Sequence, residues 1–142
     1  MKLSDLIASL IPGHVFAVSG GASLHLIHSL WPRVIPMQTE LGAGFAADAY
    51  ARVKGLGCAL ATSGPGATNL LTAVATSYYD SVPVVYLAGQ VASFRRASGE
   101  RQKGFQETPI LEMVGPVCKY AAEVTPSNAR FEVEKAMHIA TT

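Results

Sequence analysis

Strand-like and helix-like runs alternate along the whole chain, and Gly, Pro or Ser turns separate them. A first helix capped by Ser4 or Asp5 carries Leu6, Ile7 and Leu10 and stops at Pro12-Gly13. His14-Val15-Phe16-Ala17-Val18 reads as a buried strand and Ser19-Gly20-Gly21 as the turn after it. The same rules predict a helix over 23–30 closed by Trp31-Pro32, a strand over 33–37, and a helix over 39–54 ended by Gly55. A strand over 58–62, a turn at Ser63-Gly64-Pro65-Gly66 and a helix over 67–77 follow. The run 82–88, rich in Val, Tyr and Leu, reads as a strand buried on both faces. A polar, basic loop over 92–106, a helix over 108–114, a strand over 117–124 and a helix over 127–140 complete the pattern. Such alternation implies an α/β fold, a parallel sheet flanked by helices on both faces.

The 142 residues fit one domain. Only 15% are charged against 49% hydrophobic, so part of the surface is expected to be covered by another domain or chain. A net charge of +1 gives no footprint for nucleic acid. No apolar run reaches membrane-spanning length, and the start Met1-Lys2-Leu3-Ser4-Asp5 lacks a secretory pattern, so no membrane partner and a cytoplasmic location are expected. Cys58, inside an apolar run, reads as a small buried hydrophobe. The four histidines show no metal-ligand spacing, and no metal-binding residue is assigned. The alternation ends on a helix where such a sheet takes one more strand. The chain is therefore expected to be part of a longer one and to lack its last strand.

Open α/β sheets bind ligands outside the carboxyl ends of their strands. Three segments fall there: Ser19-Gly20-Gly21, Gln38-Thr39-Glu40 and Ser63-Gly64-Pro65-Gly66. Glu40 opens a helix, where a carboxylate is favoured whether or not it has chemistry to do. That helix has almost no side-chain bulk: Gly42, Ala43, Gly44, Ala46, Ala47, Ala49 and Ala51. Glycine inside a helix costs about 1 kcal/mol relative to alanine, so a neighbouring helix, a partner chain or a ligand must approach closely. Asp48 and Arg52, spaced i,i+4, read as a local ion pair. The turn at 63–66 resembles a phosphate loop, but Asn69 stands where a dinucleotide fingerprint needs its third glycine, and Pro65 removes a donor. In Gly104-Phe105-Gln106-Glu107, Gln106 could hydrogen-bond a substrate and Phe105 wall it off, or the segment is a solvated loop.

Taken in order, Val15-Phe16 to Gly20-Gly21-Ala22, the helix Glu40 to Arg52, Thr62-Ser63-Gly64-Pro65-Gly66-Ala67-Thr68-Asn69, Asp80-Ser81-Val82-Pro83, Gly89-Gln90-Val91 and Phe105-Gln106-Glu107 resemble a known family. It is the N-terminal pyrimidine domain of thiamine-diphosphate-dependent enzymes of the acetolactate (acetohydroxyacid) synthase type. The resemblance implies that Glu40 hydrogen-bonds N1′ of the aminopyrimidine and stabilises its imino tautomer, within a water-poor site, for decarboxylation or ligation of 2-keto acids. It implies that Ser19, Gly20, Gly21 and Pro65 line the cofactor pocket, that Asn69 supports it, and that Gln106, with Phe105, faces the substrate.

The family grips the diphosphate and Mg²⁺ through a Gly-Asp-Gly motif of a second domain, and this sequence contains none. The resemblance therefore implies a homodimer or homotetramer formed through the pyrimidine domain, a diphosphate-binding domain in the same or another chain, and no activity for the chain alone. Some relatives carry structural FAD, which makes it a possible cofactor. The long basic loop carrying Arg95, Arg96 and Arg101 is expected to favour an anionic acceptor larger than pyruvate. The competing readings are a separate or non-catalytic pyrimidine-domain subunit that dimerises with a diphosphate-binding partner, and a generic nucleotide-binding module.

Overall fold

The computed structural model describes residues 1–95 and 99–142. Arg96, one of the three arginines singled out in the basic loop, lies outside the described residues. The strands are β1 (Val15–Ala17), β2 (Val34–Pro36), β3 (Gly57–Ala61) and β4 (Val84–Ala88). Among the described residues they form one all-parallel sheet in the order β2-β1-β3-β4, with Phe16 opposite both Ile35 and Ala59. The helices are α1 (Leu3–Leu10), α2 (Leu24–Leu30), α3 (Glu40–Lys54), α4 (Pro65–Asn69), α5 (Leu71–Tyr79), α6 (Ile110–Val114) and α7 (Ala129–Thr141).

Alternation along the strands divides the core in two. Val15 and Ala17 of β1, with Cys58 and Leu60 of β3, face a cluster containing Ile7, Ile11, Leu30 and Val133 from the α1, α2 and α7 side. Phe16, Ala59 and Ala61 face the opposite cluster with Ala43, Ala47, Leu70 and Val74 from the α3, α4 and α5 side. Fully buried Ile11, Leu30 and Leu60 each contribute about 2 kcal/mol of apolar burial.

The helix α3 lies unusually close to its neighbours. A Cβ on Gly44 would fall 2.4 Å from the Cβ of Ala73 in α5, and one on Gly57 would fall 2.0 Å from the carbonyl oxygen of Ala47. The missing bulk at Gly44 thus serves a neighbouring helix. Asp48 and Arg52 do pair, at 2.6 Å, but Arg52 also reaches Asp80 at 2.7 Å, and the other Asp48 oxygen accepts the Ser77 hydroxyl at 2.7 Å. Two of the motifs behind the resemblance therefore meet at the amino end of the sheet and fasten α3 to the approach to β4.

Several boundaries differ from expectation. The first helix begins at Leu3, with Lys2 in the cap position, because Asp5 satisfies the helix start from inside the first turn by accepting the Lys2 backbone N–H at 3.2 Å. Its carboxyl end is held by Arg33, whose guanidinium donates to the carbonyls of Ala8, Ile11 and Gly13. The helix expected over 67–77 is two helices broken at Leu70. It starts earlier, at Pro65, whose fixed φ suits a first helical position.

The strand buried on both faces is β3, whose five residues are all buried. In β4 only Val85 is buried, because β4 is an edge strand. The expected strand over 117–124 is not in the sheet. Residues 115–117 make a 3₁₀ turn, and no ladder takes up the backbone that follows. Side chains tie this stretch to α7 instead: the Tyr120 hydroxyl donates to Glu132, and Lys119 Nζ donates to the Ile139 carbonyl at 3.3 Å. Apolar sequence makes a strand only where a neighbouring backbone is free to pair with it.

Candidate functional site at the carboxyl edge of the sheet

Because all four strands are parallel, the segments leaving them converge on one edge. Glu40 follows β2 and opens α3, whose cap is Thr39: its Oγ1 accepts the Gly42 N–H at 3.1 Å. The Glu40 side chain is half-buried, and its Oε2 accepts a hydrogen bond from Asn69 Nδ2 at 3.2 Å. Asn69 is the last residue of α4, so a side chain 29 positions away fixes the carboxylate. Gly66 packs between two side chains: a Cβ there would lie 3.4 Å from Glu40 Oε1 and 2.7 Å from Thr62 Cγ2.

The turn after β1 lies against the turn after β3. A Cβ on Gly20 would fall 2.5 Å from the Cβ of Thr62, and the Ala22 N–H donates to Thr62 Oγ1 at 3.3 Å. Gly21 differs: a Cβ there would meet nothing within 4 Å. Gly64, at φ +60°, packs against Gln106, itself at φ +56°; a Cβ on Gly64 would lie 2.6 Å from the Gln106 carbonyl oxygen. These two residues of positive φ bring the Gln106 backbone against the turn that follows β3. The Glu107 carboxylate accepts the Lys103 and Gly104 N–H groups, and Gln90 Nε2 donates to the Thr108 carbonyl at 2.9 Å.

The structure thus brings Glu40, Asn69, Gly20, Gly64 and Gln106 to one edge. Ser19, Gly21 and Pro65 border it and are exposed. Phe105 is 82% exposed, so within this chain it walls off nothing. Glu40 itself is half-buried and remains in part open to solvent. Thr62, Gly89 and Gln90 acquire roles that their sequence gave no means of assigning. Gly89 is required because the Ala22 carbonyl oxygen would lie 2.6 Å from its Cβ.

Among the described residues no group of three or more His, Cys, Asp or Glu side chains is placed to hold a metal ion. No helix among them is long and apolar enough to cross a membrane. Cys58 is buried, and that burial pushes its thiol up to about 12.

Residues 1–113 match the family described as thiamine pyrophosphate enzyme, N-terminal TPP binding domain. The chain belongs to this family. It is 40% identical over 136 residues to an acetolactate synthase of Arthrospira platensis, covering 89% of this chain and 23% of that protein. It is 42% identical over 139 residues to the acetolactate synthase large subunit of Haemophilus influenzae, covering 91% and 23%. Against acetolactate synthase 2, chloroplastic, of Zea mays, identity is 45% over 111 residues, covering 75% and 17%. The chain spans less than a quarter of the length of these relatives. It is a thiamine-diphosphate-binding domain with the α/β parallel-sheet fold expected from its sequence.

Proposed function

We propose that this chain is the pyrimidine-binding half-site of an acetolactate synthase-like enzyme that decarboxylates and ligates 2-keto acids, and that Glu40 activates the cofactor through N1′. The observation that carries this reading is the Glu40 carboxylate, half-buried and held by Asn69 at 3.2 Å at the carboxyl edge of the parallel sheet. The edge suits the pyrimidine of thiamine diphosphate. Gly21 presents no side chain toward it, and the Glu40 carboxyl can share a proton with a ring nitrogen.

Bound thiamine diphosphate supplies an electron sink for breaking the bond to the carboxylate of a 2-keto acid. Glu40 holds the proton at N1′, and Asn69 fixes the orientation of its carboxylate. Ser19, Gly20, Gly21 and Pro65 border the ring, and Gln106 faces the substrate side. The diphosphate and Mg²⁺ belong to a diphosphate-binding domain in the same or another chain. Along α3, starting beside Glu40, Leu41, Phe45, Ala49 and Val53 form an exposed apolar stripe spaced by four residues. This stripe supports a homodimer or homotetramer formed through the domain, which would exclude water from the open side of the site.

The test is Glu40→Gln in the full-length protein, read as hydrogen–deuterium exchange at thiazolium C2. The rate is expected to fall about 10²–10⁴-fold with the cofactor still bound. An unchanged rate overturns the role of Glu40.

A further inference from the structure

We infer that Thr62 is a positioning residue that keys the two glycine turns of the site together, and that cofactor affinity depends on its hydroxyl. The inference rests on the proposed function. Thr62 follows β3 and stands between the segments assigned to the cofactor. Its Oγ1 accepts the Ala22 N–H at 3.3 Å, which ties down the turn leaving β1. Its side chain also fills the space that a Cβ on either turn would take: 2.5 Å from Thr62 Cβ for Gly20, and 2.7 Å from Thr62 Cγ2 for Gly66. Gly66 in turn adjoins the Glu40 carboxylate. On its far side the 20–22 segment is stopped by Gly89, against which the Ala22 carbonyl rests.

The segment is therefore clamped between the ends of β3 and β4, and the hydroxyl of Thr62 is the polar part of the clamp. β-branching suits the position, since one side chain must present an acceptor to Ala22 and a methyl to Gly66 while its χ1 is restricted. Valine is nearly isosteric and keeps the methyl contact, but it cannot accept the Ala22 N–H. Serine keeps the acceptor and loses the methyl.

The experiment uses the full-length protein as wild type, T62V and T62S. Thiamine diphosphate binding is measured by calorimetry with Mg²⁺ present, and amide exchange of the peptide containing Ala22 is measured without cofactor. The expected result is binding about fivefold weaker in T62V, with faster exchange at Ala22, and both near wild type in T62S. Equal binding by wild type and T62V overturns the positioning role and leaves the role of Glu40 standing. T62S as weak as T62V overturns the role of the hydroxyl. Should T62V not fold, an unprotected Ala22 amide in the wild type overturns the tether directly. No binding by the wild type overturns the proposed function, and the role of Thr62 with it.

Discussion

Asn69 Nδ2 donates to Glu40 Oε2 at 3.2 Å, joining the end of α4 to the start of α3 across the edge where the β2 and β3 segments emerge. Neither residue's immediate sequence implies this bond. Asn69 is exposed and at a helix end, so its removal should cost little stability. In the full-length protein Asn69→Ala is expected to slow C2 exchange about three- to tenfold with thermal stability unchanged. Asn69→Asp should slow it further, because a second carboxylate would repel the first.

Gly21 offers a test of which glycines serve the ligand and which serve the fold. Nothing in this chain lies within 4 Å of a Cβ at Gly21, whereas Gly20 and Gly64 would clash at once. Gly21→Ala should leave the cofactor-free protein within about 0.5 kcal/mol of wild type and still weaken thiamine diphosphate binding. Unweakened binding, measured by calorimetry, would remove Gly21 from the pocket.

Gly44 presents the reverse case. Helix propensity alone favours alanine there by about 1 kcal/mol. The Ala73 Cβ, 2.4 Å from where the new methyl would sit, opposes it. Gly44→Ala is expected to destabilise by about 1–3 kcal/mol in chemical denaturation. Adding Ala73→Gly should recover more than half of the loss. A stabilised Gly44→Ala variant would mean that α3 and α5 separate readily.

Arg52 holds one buried and one exposed carboxylate, at 2.6 Å to Asp48 and 2.7 Å to Asp80. Both hydrogen bonds raise the guanidinium above its ordinary value, so the group is cationic at every pH the protein meets. Asp48→Asn should lower the melting temperature by several times as much as Asp80→Asn, since only Asp48 is withdrawn from water and bonded to Ser77 as well. Equal losses would show that burial does not set the strength of this network.

The two cysteines should differ in reactivity. With its thiol at about 12, Cys58 is ionised in roughly one molecule in ten thousand at pH 8, and it is buried. Half-buried Cys118, also raised by burial, remains reachable. Brief alkylation of the native protein at pH 8, mapped by peptide mass, should label Cys118 well before Cys58, and both should react in denaturant.

Most of the element order was legible, because strands and helices bury their faces with different periods and the punctuating Gly and Pro residues are local. Two errors came from context. The Val-rich run 82–88 looked the most buried but forms the edge strand β4, while the plainer Gly57–Ala61 lies in the middle, where small residues let α3 close down on it. The run 117–124 had strand-like residues and no partner backbone. The place of Glu40 at a helix start on the carboxyl edge was legible from the strand before it, and a role for it came only through the family resemblance. Thr62 and Gln90 were not legible, because their roles depend on segments far away in sequence.

The sequence by itself determined the α/β class, the parallel sheet and the three turns at its carboxyl edge, since these follow from periodicity and local backbone chemistry. Only the tertiary structure decided which strand is central, which glycines yield to a neighbouring helix, and that Asn69 donates to the Glu40 carboxylate while Thr62 accepts the Ala22 N–H. Such matters depend on distances of a few ångströms between residues tens of positions apart, and no local pattern encodes them.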